Sequence, residues 1–142
     1  MMTRKIVMSM LAIFAMSTIM AQENSNVQPP VPADVAESFN MLYPNVKEVG
    51  WTFSSEFFEA CFKQKEKIVS LFFDKNGDLK KVKNEIMESD LPISAKELIA
   101  KEYSGWKLEK AASIDITGTM NYETQIQKDK NEKAIVLIFD RQ

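Results

Sequence analysis

The sequence has no histidine and a single cysteine, Cys61, among its 142 residues. Without histidine there is no imidazole acid–base catalysis, no Ser-His-Asp or Cys-His nucleophile system, and no zinc site of the His- or Cys-rich kind. With one cysteine there is no intramolecular disulfide. Four glycines and five prolines are too few for a fibrous or disordered chain. What remains is an ordinary globular composition, 45% hydrophobic and 27% charged, in a length that suits one domain or two very small ones. These absences point away from an enzyme and call for no cofactor and no metal.

The first 21 residues, MMTRKIVMSMLAIFAMSTIMA, read as an address. Arg4 and Lys5 make a basic start, and an apolar run follows from Ile6 to Met20. Small Ala21 then precedes polar Gln22-Glu23-Asn24, the pattern of a secretory signal peptide cut within about two residues of Gln22. The run falls short of the roughly 20 apolar residues of a confident membrane span. The expected destination is the periplasm, with secretion as the further possibility and no membrane insertion after cleavage. Removing Arg4 and Lys5 takes the 18 basic residues to 16, against 20 acidic ones, a net charge of −4. That balance argues against a nucleic-acid partner, which needs clustered Lys and Arg. The Lys63/Lys65/Lys67 and Lys80/Lys81/Lys83 groups are interleaved with acidic or apolar residues and read as solvated turns and strand faces.

After a polar lead at 22–31 the chain repeats itself. Val31-Pro32 recurs as Leu91-Pro92, Glu37 as Glu97, Phe39 as Ile99 and Tyr43 as Tyr103, all offset by 60 positions. Phe58-Glu59 returns as Tyr122-Glu123, and Phe73-Asp74 as Phe139-Asp140, at larger offsets. The sequence thus divides into a first repeat over 32–90 and a second over 91–142. Each opens with a helix, over 33–43 and 93–103. Asp34-x-x-Glu37 and Ser94-x-x-Glu97 have the capping-box pattern, and Pro44 and Gly105 supply the stops.

Strands follow at 46–53, 56–63, 67–74 and 79–87, then at 106–116, 120–128 and 133–140. Turns at 54–55 and 65–66 set Trp51 opposite Phe58 and Val49 opposite Ala60, and then Phe58, Ala60 and Phe62 opposite Phe73, Leu71 and Val69. In the second repeat Ile114 is expected opposite Tyr122, Thr124 opposite Leu137 and Ile126 opposite Ile135. The period of two then gathers the large apolar residues on one sheet face. The expected class is α+β: tandem α-β-β-β(-β) repeats, four strands in the first and three in the second, forming an antiparallel sheet with helices on one face.

Several motifs together resemble a known family. They are the Val/Leu-Pro entry, Tyr43-Pro44, Val49-x-Trp51, Phe58-x-Ala60-x-Phe62, and Phe73-Asp74-Lys75-Asn76-Gly77. From Val31 to Asp140 the chain resembles the PepSY-like, beta-lactamase-inhibitor-like proteins exported by Bacteroidetes-type bacteria. The resemblance implies a fold like that of beta-lactamase inhibitor protein, whose concave sheet grips an enzyme. It supplies no catalytic residue. Leu79 stands where the family often has Trp.

The chemistry-bearing residues have plain structural readings. Asp74-x-Asn76-x-Asp78 with Glu85 has calcium-loop spacing, but Leu79 replaces the needed glycine and both flanks are strands, so a hairpin turn is expected. Cys61 is expected on the face away from the helices, as an inert half-exposed residue. Met41, Met87 and Met120 are read as packing residues. A pocket lined by Trp51, Tyr103 and Trp106 would favour a small-ligand or envelope-stress role with a site between the repeats. The stronger hint is the sheet face away from the helices. Phe57, Ile68, Phe72, Val136 and Ile138 fall there with Glu59, where a one-sided sheet should be polar. Such a patch suits contact with a protein, here an unidentified periplasmic partner.

Overall fold

The computed structural model describes residues 29–141. Helix α1 (Ala33–Leu42) is followed by β1 (Gly50–Ser54), β2 (Phe57–Gln64), β3 (Lys67–Phe73) and β4 (Leu79–Ile86). A 3-10 turn at Glu88–Asp90 leads into α2 (Ile93–Glu102), then β5 (Lys107–Ile116), β6 (Thr119–Gln127) and β7 (Ile135–Asp140). All seven strands form one antiparallel sheet in chain order, with β4 paired to β5 across the middle. The class is α+β, as the alternation of the sequence implies.

The helices start differently from the capping-box expectation. Pro32 and Pro92 occupy the N-cap positions, and neither cap makes a side-chain hydrogen bond. Asp34 and Ser94 therefore lie inside the first turn. Proline fits because its fixed φ suits the entry and its missing N–H has no partner there. Asp34 still favours the helix through the positive N-terminal end of the dipole.

The core of the first half lies between α1 and one sheet face. Val35 and Phe39 of α1 pack with Phe58, Ala60, Phe62, Val69, Leu71 and Phe73, all buried. The Phe39 ring meets Trp51 edge-on at 5.4 Å and Phe62 at 5.5 Å between centroids. In the second half the same face buries Ala111, Thr124, Ile126 and Leu137. Leu108, opposite Ile126, lines a cavity together with Leu91 and Ile99, which places α2 against that face. Ala95 of α2 is fully buried.

Turn chemistry sets the register, and it departs from the sequence reading twice. The β1–β2 turn is Ser55-Glu56, both at positive φ, so Trp51 pairs with Ala60 and Phe53 with Phe58. This moves the pairing partner by two residues, and a shift of two leaves every side chain on its expected face. The β5–β6 turn is Thr117-Gly118, also at positive φ, with the Gly118 N–H donating to Asp115 Oδ1 at 2.8 Å. Ile114 therefore faces Asn121, and Tyr122 faces Ser113. Here the slip is one residue, so Ile114 leaves the helix face for the opposite one. The β2–β3, Thr124–Leu137 and Ile126–Ile135 pairings are those the sequence implies. β1 begins at Gly50, four residues later than expected.

The β3–β4 connection is a five-residue loop. Asp74 Oδ1 accepts from the N–H of Asn76 at 2.9 Å and of Asp78 at 3.1 Å. Gly77 sits at φ +84, and a Cβ there would meet the Asp34 carbonyl oxygen at 2.6 Å. Glycine thus serves both the left-handed backbone and close approach to α1. Met41 and Met87 are 77% and 64% exposed, so they are surface residues and not packing ones.

Candidate functional site

The face without helices is built by alternation along all seven strands, with β1 contributing Thr52 opposite Glu59. Glu59 pairs with Phe72 and Cys61 with buried Ser70, and Ile68 faces Lys63. Phe57 lies one pleat farther along β2 on the same side. Across β4 come Lys81 opposite Phe72 and Lys83 opposite Ser70. β5 adds Ile116, Ile114 and Ala112 opposite Lys81, Lys83 and Glu85. β6 adds Glu123 and Gln125, which face Ile138 and Val136 of β7. Phe57, Glu59, Ile68, Phe72, Val136 and Ile138 thus share one face. Ile138, 52% exposed, is the most open of them, and the other five are half-buried.

The centre of this face is charged and packed. Lys83 Nζ donates to Glu123 Oε1 at 2.6 Å, with both side chains largely covered. The Lys81 ammonium lies 3.7 Å from the centroid of the Phe72 ring. Cation over aromatic is an attractive arrangement, stronger when water is partly excluded. Burial, helped by the neighbouring Lys83 charge, holds the Lys81 pKa below its ordinary 10.5, against the pull of Glu59 and Glu123. Thr52 Oγ1 donates to Glu59 Oε2 at 3.2 Å, and the Ile68 N–H donates to Glu85 Oε2 at 3.0 Å. A hollow of about 60 Å³ opens among Ile68, Ser70, Lys83, Ala112, Glu123 and Gln125. Ligand pockets usually start near 300 Å³. The hollow fits a side-chain tip or a few waters.

Lys81, Ala112, Ile114 and Ile116 belong to this face, yet sequence reasoning did not single them out. For Ile114 the missing signal was Thr117-Gly118 as a tight two-residue turn. For Lys81 it was a bulge at the Phe72/Phe73 step, which lets Lys80 fall out of register. Cys61 is half-buried on the same face as a free thiol.

A second cavity, about 320 Å³, lies between α2 and the start of β5. It is lined by Leu91, Ile99, Ala100, Tyr103, Trp106 and Leu108, with Glu88, Lys96 and Ser104 at its rim. Tyr103 and Trp106 meet edge-on at 5.8 Å. Trp51 packs in the other half against Phe39 and Phe73. The three residues thus do not share a pocket between the halves, and the expectation of a common aromatic site gives way to two separate clusters. Around Asp74 partial desolvation raises the carboxyl pKa, but the N–H groups of Asp78 and Asn76 and the Lys80 ammonium outweigh it, and the net shift is downward. Lys80 Nζ is 3.2 Å from Asp74. The carboxylate is thus committed to holding the hairpin. Among the described residues no cluster of three or more metal-ligating side chains occurs, and no helix is long and apolar enough to cross a membrane. The proposed signal peptide lies outside the described residues.

No protein-family model matches the chain, and no curated protein matches it. Solved structures do. A DUF2874 family protein of Bacteroides uniformis shares 17% identity over 77% of this chain and 81% of its own, with a TM-score of 0.70. A protein of Bacteroides eggerthii named as a candidate periplasmic protein shares 13% over 79% and 83%, with a TM-score of 0.72. A BLIP-like protein of Bacteroides fragilis shares 15% over 80% and 82%, with a TM-score of 0.63. At such identity the likeness shows the fold, an α+β architecture of the BLIP-like kind, and fold alone does not transfer activity.

Proposed function

We propose that this chain is an exported, non-catalytic binding module that grips a protein partner through the sheet face without helices. The observation that carries the reading is the makeup of that face. Phe57, Ile68, Phe72, Val136 and Ile138 are apolar on the side that no helix of the described residues covers, around a charged centre of Lys81, Lys83 and Glu123. Aromatic anchors carry much of the energy of an interface, and paired charges beside them fix the orientation of a partner. The signal-like first 21 residues and the candidate periplasmic neighbour support export to the periplasm. The absence of histidine and the structural use of Asp74 support a role without catalysis. The PepSY-like resemblance and an inhibitory role, as in beta-lactamase inhibitor protein, are finer readings within this one.

The test is affinity capture from the native periplasm with the wild-type chain and with Phe57→Ser and Phe72→Ser, each tagged at the same end. A protein retained by the wild type, and at least about tenfold less by each variant at unchanged far-ultraviolet circular dichroism, supports the face. Equal retention by all three chains moves the contact elsewhere.

A further inference from the structure

Strand β7 has the sequence of an interior strand in an edge position. Its first five residues, Ile135 to Phe139, are all large and apolar, so both faces of the strand are apolar. Continuous runs of this kind belong to strands covered on both faces, and natural edge strands are blunted by polar or charged residues. The opposite edge obeys that rule, because β1 alternates Trp51 and Phe53 with Gly50, Thr52 and Ser54. β3, whose last residue Phe73 is followed by Asp74 as Phe139 is by Asp140, has β4 beside it. Among the described residues nothing pairs with the outer side of β7.

The backbone directions follow from one contact. The Arg141 N–H donates to the Met120 carbonyl at 3.2 Å, continuing the β6–β7 ladder. Antiparallel pairing alternates inward and outward groups, so Leu137 and Phe139 also bond toward β6. Val136, Ile138 and Asp140 then point their N–H and C=O groups outward.

We propose that β7 pairs antiparallel with β7 of a second copy of this chain. Two-fold pairing requires facing residues to share a sheet face, so the axis must pass through a residue. An axis at Ile138 sets Ile138 against its own copy, Val136 against Asp140 and Leu137 against Phe139. The three outward residues of each strand then form hydrogen-bonded pairs, about six bonds in all. An axis at Leu137 would bring Lys133 against Arg141, two like charges, and would pair Asp140 with Ala134, which lies outside the strand. Asp140 is the only charged residue of β7, so little repulsion opposes the pairing. The result is one continuous sheet in which Ile138 of both copies joins two helix-free faces. This pairing does not depend on what those faces bind.

The experiment uses the chain expressed with its own leader and purified from the periplasm. Sedimentation velocity over about 10 µM to 1 mM, the range suited to a small interface, should show a monomer–dimer equilibrium. Hydrogen exchange at Val136, Ile138 and Asp140 should slow at least about tenfold at the high end, while Leu137 and Phe139 stay protected throughout. Val136→Pro removes only an outward N–H and keeps an apolar side chain, so it should remain folded and monomeric. Ile138→Lys, which sets the two copies' ammonium groups against each other across the axis, should be monomeric as well. A wild type that is monomeric at every concentration overturns the proposal. So does a dimer that survives both substitutions, or one in which the three outward amides exchange as fast as in the monomer.

Discussion

Truncating the equivalent core residue of each helix should give unequal results. Phe39 is 2% exposed and touches Trp51, Phe62 and Tyr43, with centroids between 5.4 and 6.0 Å. Phe→Ala in such a site costs about 3–5 kcal/mol, and lost edge-to-face pairs push it toward the upper end. Ile99, its counterpart, is half-buried and lines an existing cavity of about 320 Å³. Ile→Ala in a full core costs about 2–5 kcal/mol, and half burial brings that to about 1–2. For a chain of this size Phe39→Ala should lower the melting temperature by about 10–20 °C and Ile99→Ala by about 4–8 °C. Urea titration with both variants gives the midpoints, and an unchanged m value confirms a pure stability effect. Equal losses, or a larger loss for Ile99→Ala, would refute the claim that the core is concentrated under α1.

Other outcomes follow from single features. Gly77→Ala should destabilise by about 2 kcal/mol or more in a melt, because left-handed strain adds to a clash with the Asp34 carbonyl. The Asp74 carboxyl titrates below its ordinary 3.8, so its contribution is full above that value and fades as pH falls through the lowered pKa. Asp74→Asn should therefore flatten the acid limb of the stability–pH curve, measured by denaturation between pH 2 and about pH 5. Lys83→Met strands the Glu123 carboxylate of a well-covered pair and should cost about 1–3 kcal/mol by urea titration, with Glu123→Gln in the same background restoring part of it.

Much of this fold was legible because strand alternation is a strong signal. The Phe58/Ala60/Phe62 and Val69/Leu71/Phe73 sets admit one register around Lys65-Glu66, and the structure has it. What the pattern could not fix were positions decided by turns and bulges. Ser55-Glu56 and Thr117-Gly118 differ from the expected turns by a single residue or less. In the first case the slip keeps the face, and in the second it carries Ile114 across the sheet. The capping box failed because Pro32 and Pro92 fit the N-cap position through φ, which a side-chain hydrogen-bond motif does not register. The helix-free face was readable as a set of six residues, but not its charged centre. The Lys81–Phe72 contact depends on a bulge, and the Lys83–Glu123 pair spans strands far apart in sequence.

The central claim is that the helix-free sheet face, and not the helix side, meets a protein partner. A photo-activatable residue placed at Phe72, and in a second chain at exposed Met41 of α1, tests it in the native periplasm. The account predicts a discrete adduct with one other protein from position 72 and none from position 41. Adducts from position 41 alone, or the same adducts from both, would contradict it.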